Sequence, residues 1–206
     1  MTEQLTRERE FEAKCLLTRE QMRAIAADLG VGEKDFIPQV NIYLDTVDSD
    51  FKRQKSALRI RRRRDFCVLT LKSRQSDHHL EQSLPLDERD YSDATKQLTF
   101  GGYWEIPEKL LSIFDGFEIL SENDDTLKVM EIATIRTERA VVDTAGGQIM
   151  LDQSKFYGQT DYEIEVESHS DEQSTQILAG LLEKYHLKYR KSQPKIARAL
   201  ASKHNN

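Results

Sequence analysis

The sequence predicts an α+β fold: about eight antiparallel strands with one aliphatic and one charged face, plus helices that cover the aliphatic side. Three observations predict it. The stretch Glu8-Arg9-Glu10-Phe11-Glu12-Ala13-Lys14-Cys15-Leu16 alternates, with Glu10, Glu12 and Lys14 on one side of an extended strand and Phe11, Ala13 and Cys15 on the other. The same period-two alternation returns in most of the later strand-like segments. The helical segments carry apolar stripes that need a sheet to cover.

In chain order, the first strand gives way to Thr18-Arg19-Glu20-Gln21, a capping box opening a helix with Met22, Ile25, Ala26 and Leu29 on one stripe and Gly30 as its stop. A short strand surrounds Val40, Ile42 and Leu44. Leu58-Arg59-Ile60-Arg61 leads the next, followed by strands from Phe66 to Lys72 and from Leu80 to Leu84, with turns at Arg64-Asp65 and Ser76-Asp77. From Asp87 to about Phe114 the pattern is helical or irregular. Pro107 suits the first turn of a helix carrying Leu110, Leu111 and Phe114. Strands resume from Lys128 to Ile132 and from Ile135 to Val142, and Gly146-Gly147 turns the chain into Gln148 to Asp152. Tyr162 to Glu167 is the last strand. Ser170 caps a helix with Ile177, Leu178, Leu181, Leu182 and Tyr185 on one face, and Pro194 starts a terminal helix.

The 206 residues read as a single domain, 1–206, without repeat or linker, and are enough for a real core. A formal net charge of −6 argues against general binding to nucleic acid or anionic membrane. No apolar run approaches the ~20 residues that span a bilayer, and the first residues lack a signal-peptide pattern. Cys15 and Cys67 sit on the apolar parity of separate strands and read as buried thiols. The expected location is the cytoplasm.

Sorting each strand by parity separates two kinds of face. Leu58 and Ile60 oppose Arg59 and Arg61. Leu69 and Leu71 oppose Lys72, Leu80 and Leu84 oppose Glu81, and Ala140 and Val142 oppose Arg139. Leu151 opposes Asp152, and Ile164 and Val166 oppose Glu163 and Glu165. The economical arrangement turns the aliphatic faces outward beneath helices and the charged faces inward, as an eight-stranded barrel or an open sheet with a charged concave face. Taking each ion out of water costs several kcal/mol, and buried pairs often only break even. A hydrated interior that binds a polyanion with a divalent metal removes that difficulty. The guanidinium forks of Arg59, Arg61 and Arg139 suit phosphate oxygens, and the carboxylates suit Mg²⁺ or Mn²⁺.

These residues resemble the CYTH domains, the triphosphate tunnel metalloenzymes, in the small single-domain bacterial branch. Glu10-x-Glu12-x-Lys14 matches the family signature. Tyr43-Leu44-Asp45-Thr46, Leu58-Arg59-Ile60-Arg61, Leu69-Thr70-Leu71-Lys72, Glu81, Arg139, Leu151-Asp152, Tyr162-Glu163-Ile164-Glu165 and Pro194-Lys195-Ile196-Ala197-Arg198 follow in family order, from about Glu10 to Leu200. Where many members carry Lys-x-Arg on a late strand, this chain has Thr137-Glu138-Arg139. The resemblance implies an eight-stranded antiparallel tunnel and metal-dependent hydrolysis of a triphosphate-containing small molecule.

On that footing Glu10, Glu12, Asp152, Glu163 and Glu165 are the expected metal ligands. Lys14, Arg59, Arg61, Lys72, Arg139 and Lys195 are the expected phosphate contacts, and Glu10, Glu12, Lys14 and Glu81 the expected catalytic groups. Inorganic triphosphate is the first-choice substrate. A thiamine- or nucleoside-triphosphatase, a class IV adenylate cyclase and a non-catalytic polyphosphate- or nucleotide-binding module are the alternatives.

Overall fold

The computed structural model describes residues 4–64, 66–75, 78–117 and 126–203. The turns expected at Asp65 and at Ser76-Asp77 lie outside them. The strands are β1 (Thr6–Leu17), β2 (Ile37–Asp45), β3 (Ser56–Arg63), β4 (Phe66–Arg74), β5 (His79–Leu86), β6 (Tyr103–Glu105), β7 (Lys128–Thr144), β8 (Gly147–Phe156) and β9 (Gln159–Ser168). The helices are α1 (Arg19–Asp28), α2 (Asp50–Arg53), α3 (Glu88–Leu98), α4 (Asp171–Lys184) and α5 (Lys195–Lys203). Neighbouring strands run in the order β2-β3-β4-β5-β1-β9-β8-β7-β6, and β2 also pairs with β7. The eight longer strands therefore form a cycle of neighbours, which decides between the barrel and the open sheet that the alternation allows in favour of the antiparallel barrel with covering helices. Short β6 adds to β7.

The chain divides into two compact units, Met1–Arg9 with Val40–Thr134 and Glu10–Gln39 with Ile135–Asn206. In the second unit, register puts Ala140, Leu151, Ile164 and Cys15 in one cross-strand row and Val142, Ile149, Val166 and Ala13 in the next. These rows pack against Met22, Ile25 and Ala26 of α1 and Leu178 and Leu182 of α4. Burying each large aliphatic side chain contributes roughly 1.5–3 kcal/mol. Thr18 caps α1 with the expected reciprocal pair to Gln21, and the Ser170 hydroxyl caps α4. The β7–β8 hairpin needs glycine at 147: its φ is +146°, and a Cβ there would lie 2.0 Å from the Glu167 carbonyl oxygen.

In the first unit Leu58 faces Leu71, Ile60 faces Leu69, and Leu69 faces Leu84. Their core includes Ala94 and Leu98 of α3, with Trp104, Leu110, Ile113 and Phe114. Pro107 precedes a 3₁₀ helix, Glu108–Phe114, rather than an α-helix. Cys15 and Cys67 are buried free thiols, and burial raises the Cys67 pKa to about 11.

Two strands also depart from the sequence reading. β6 is too short, at three residues, to show alternation. The strands expected at 128–132 and 135–142 are one, β7. Its buried aliphatic positions are odd from Val129 to Ile135 and even at Ala140, so no single alternation runs through it.

The motif residue Asp45 has a structural task. Its Oδ1 accepts from the backbone N–H groups of Thr46 (2.9 Å) and Phe51 (3.0 Å), and its Oδ2 from Lys52 (3.2 Å). Thr46 Oγ1 donates to Asp50 Oδ2 at 2.6 Å. Burial raises the Asp45 pKa in spite of these donors. Removing the carboxylate strands buried donors, so Asp45→Ala is expected to lose about 1–3 kcal/mol in chemical denaturation. Asp48→Ala, on the exposed part of the same loop, is expected to change stability by less than about 0.5 kcal/mol.

Candidate metal and phosphate site

The charged face of the second unit is fixed by the register that builds its core. Arg139 faces Asp152 across β7–β8, Asp152 faces Glu163 across β8–β9, and Lys14 faces Glu165 across β1–β9. Side chains directly opposite lie on the same side of a sheet. Asp152, Glu163 and Glu165 are buried and each offers an oxygen within 4.8 Å of the others.

Three cations hold this trio. Arg139 donates Nε and Nη2 to the two oxygens of Asp152, at 2.7 and 2.6 Å, and Nη2 again to Glu165 at 2.5 Å. Its Nη1 lies 3.0 Å from the Met150 sulfur. Lys195 Nζ, at the start of α5, lies 2.9 Å from Asp152 and 2.5 Å from each of Glu163 and Glu165. Arg198 pairs with Glu163 at 3.0 Å and Asp161 at 3.1 Å. The Ser192 hydroxyl also donates to Glu163.

The ionisation pattern follows. Burial pushes Glu165 upward, but Lys195 and Arg139 overcome it and hold the carboxyl well below the usual range. The same contest, with Arg139 and Lys195 as the attracting charges, lowers Asp152. Glu163 is raised, because burial and the neighbouring Glu165 outweigh Lys195 and Arg198. Burial would pull Lys195 down, yet Asp152, Glu165 and Glu163 carry it above the ordinary lysine range.

The expected residues fall into three groups. Asp152, Glu163, Glu165, Arg139 and Lys195 come together as described. Lys14 and Glu12 share a face of β1 and pair with each other at 2.9 Å, and part-buried Glu10 lies on the same side of that strand. Arg59, Arg61, Lys72 and Glu81 belong to the first unit. There Arg59 donates to Glu81 at 2.9 Å, Arg61 donates to Asn41 at 3.0 Å, and Lys72 faces Glu81 across β4–β5. Thr137 is buried with its hydroxyl 3.0 Å from that of Ser154.

Ser192 is the site residue of which the sequence carries no sign, and Arg198 belongs to the terminal motif but had no expected role. Ser192 reaches Glu163 from a loop without periodicity. Arg198 carries a usable signal, since i,i+3 spacing puts it on the Lys195 face of α5.

The trio suits a hard divalent cation. Its donors are all carboxylate oxygens, and an ammonium already stands among them as a cation contacting all three.

The model of the CYTH domain matches residues 8–200. A Bacillus subtilis (strain 168) protein named "Putative triphosphatase YjbK" is 33% identical over 194 residues, 94% of this chain and 95% of that one. A crystal structure of a "putative adenylate cyclase" from Bacillus halodurans is 30% identical, with a TM-score of 0.79, covering 93% of this chain and 97% of that one. A Hippeastrum protein, HpAC1, described as a "putative adenylyl cyclase" with a dominant triphosphatase activity, is 25% identical with a TM-score of 0.70, over 94% and 96% of the two chains. With a family match through nearly its whole length and the same fold in its relatives, the chain belongs to the CYTH domain family.

Proposed function

We propose that the protein hydrolyses inorganic triphosphate to diphosphate and phosphate with Mg²⁺ or Mn²⁺. The observation that carries the reading is the buried trio Asp152, Glu163 and Glu165, flanked by Arg139 and Lys195. Acidic oxygens for a cation and fixed basic groups for phosphate are what phosphoryl transfer to water requires. The names of the B. subtilis and Hippeastrum relatives support a triphosphate substrate.

In this reading the trio, with Glu12 and Glu10 on β1, holds the divalent ion. The bound ion would neutralise phosphate oxygens and lower the pKa of an attacking water. Arg139 stays charged, since Asp152 and Glu165 raise it well above its usual range against the effect of burial, and it presents its guanidinium to phosphate. Lys14 and Lys195 add point charges. Arg59, Arg61 and Lys72 are assigned to phosphate by their place in the motif order and on the charged parity of β3 and β4. Glu81 orients Arg59 through their 2.9 Å ion pair. The partners of the trio are ionic groups and a small hydroxyl, which favours a substrate that is all phosphate.

We treat residues 1–206 as one functional domain, because the family match runs through both units and β1, β2 and β7 each contribute to both. We place it in the cytoplasm. Among the described residues no helix is long and apolar enough to cross a membrane, and the net charge of −6 disfavours nucleic acid as a partner.

Phosphate release measured with inorganic triphosphate, ATP and thiamine triphosphate, each with Mg²⁺ or Mn²⁺, is expected to be fastest with inorganic triphosphate. Faster release from ATP or thiamine triphosphate would transfer the assignment to that substrate. Cyclic AMP and diphosphate from ATP would assign a cyclase, and tight triphosphate binding without release a binding module.

Glu165→Gln keeps the side-chain shape and removes one charge. Turnover is expected to fall on the order of 10²-fold while thermal denaturation remains cooperative. Full metal-dependent activity in that variant would remove Glu165 from the site.

A further inference from the structure

We propose that Lys195, the cation that touches all three carboxylates of the trio, gives up this place when a divalent ion binds, and that the exchange undocks α5. The inference rests on the metal reading above and adds its regulation.

The geometry sets two cations against each other. Lys195 Nζ contacts Asp152 Oδ2, Glu163 Oε1 and Glu165 Oε1 together. Those oxygens belong to the three carboxylates that would hold a divalent ion. An ammonium has no lone pair to offer and repels a second positive charge at such a separation. The two cations therefore compete for the trio.

The construction of α5 makes the exchange a mechanical event. Ala199 is its buried residue among those described. Ile196 and Leu200 are half-buried, and further contacts are polar or cation–π. Arg198 pairs with Asp161 and Glu163, Ser202 Oγ donates to Gln159 at 2.6 Å, and Lys203 lies 5.9 Å from the Tyr157 ring centre. A helix with so small an apolar face and so many ionic contacts depends on those charges being answered. By contrast, the segment just before it is tied to β1. Lys191 bridges to Cys15, the Leu16 N–H donates to the Arg190 carbonyl at 3.0 Å, and Arg190 Nε donates to the Leu16 carbonyl at 3.0 Å. Residues 192–194 therefore join a fixed segment to a helix whose first residue is the one displaced.

The exchange gives one side chain two roles. Lys195 neutralises the carboxylates in this structure. Once released, its ammonium is available to the incoming polyanion, so metal and phosphate binding become ordered.

Manganese affinity, measured by calorimetry and by the paramagnetic resonance of free Mn²⁺, tests this on wild type, Lys195→Met and the surface control Lys184→Met, whose lysine pairs with Asp28. Lys195→Met is expected to bind Mn²⁺ about tenfold more tightly than wild type, within the usual range of coupling between sites. Lys184→Met is expected to match wild type. In the wild type, saturating Mn²⁺ is expected to increase amide hydrogen exchange in 195–203 while β8 and β9 stay protected. Equal or weaker binding by folded Lys195→Met, or unchanged exchange in α5, overturns the inference and leaves the metal reading standing. Absence of Mn²⁺ binding to both wild type and variant overturns the metal reading and the exchange with it. Because the exchange measurement uses wild type alone, it decides the matter even if the variant does not fold.

Discussion

Everything at the candidate site depends on the burial of three carboxylates on one side of two adjacent strands. An ionised carboxylate taken from water carries a penalty of several kcal/mol unless a cation and hydrogen bonds replace the lost solvation. Asp152 and Glu165 stay ionised because the bidentate Arg139 and the ammonium of Lys195 meet that demand. Glu163, with Ser192 and Arg198 on its far oxygen, is only partly compensated, and its pKa rises. The structure thus spends positive charge from two elements, β7 and α5, on one acidic locus, and the loop before α5 adds a neutral hydroxyl.

That locus is a consequence of sheet geometry. The cross-strand register that stacks Ala140, Leu151, Ile164 and Cys15 beneath the helices places Arg139, Asp152, Glu163 and Glu165 on the opposite face. A slip of one residue in β9 would send Ile164 and Val166 to the charged side. Core packing therefore enforces the site, and the aliphatic rows under α1 and α4 determine where the carboxylates point.

Much of this was legible in the sequence, for a physical reason. Period-two alternation encodes the face of every residue in a regular strand, so the sorting of Leu58, Ile60, Leu69, Leu71, Ile164 and Val166 from Arg59, Arg61, Lys72, Glu163 and Glu165 could be read directly. Alternation fails where a strand is irregular or too short. β7 changes its buried parity between Ile135 and Ala140 and read as two strands, and three-residue β6 left no trace. It also says nothing about chain that folds back from a distance. Ser192 reaches Glu163 from a loop with no pattern of its own. Asp45 shows the converse: it belongs to a motif that travels with the site residues, yet its carboxylate ties down the backbone around α2.

The central claim is that the trio Asp152, Glu163 and Glu165 holds a divalent ion against the phosphates of the substrate. Anomalous diffraction from crystals grown with Mn²⁺ and a non-hydrolysable triphosphate analogue tests it most directly. The account predicts a manganese peak within coordination distance of at least two of those carboxylates, bridged to an analogue oxygen, with Lys195 turned from the acids toward phosphate. A peak elsewhere, with Lys195 still seated among the three carboxylates, would contradict it.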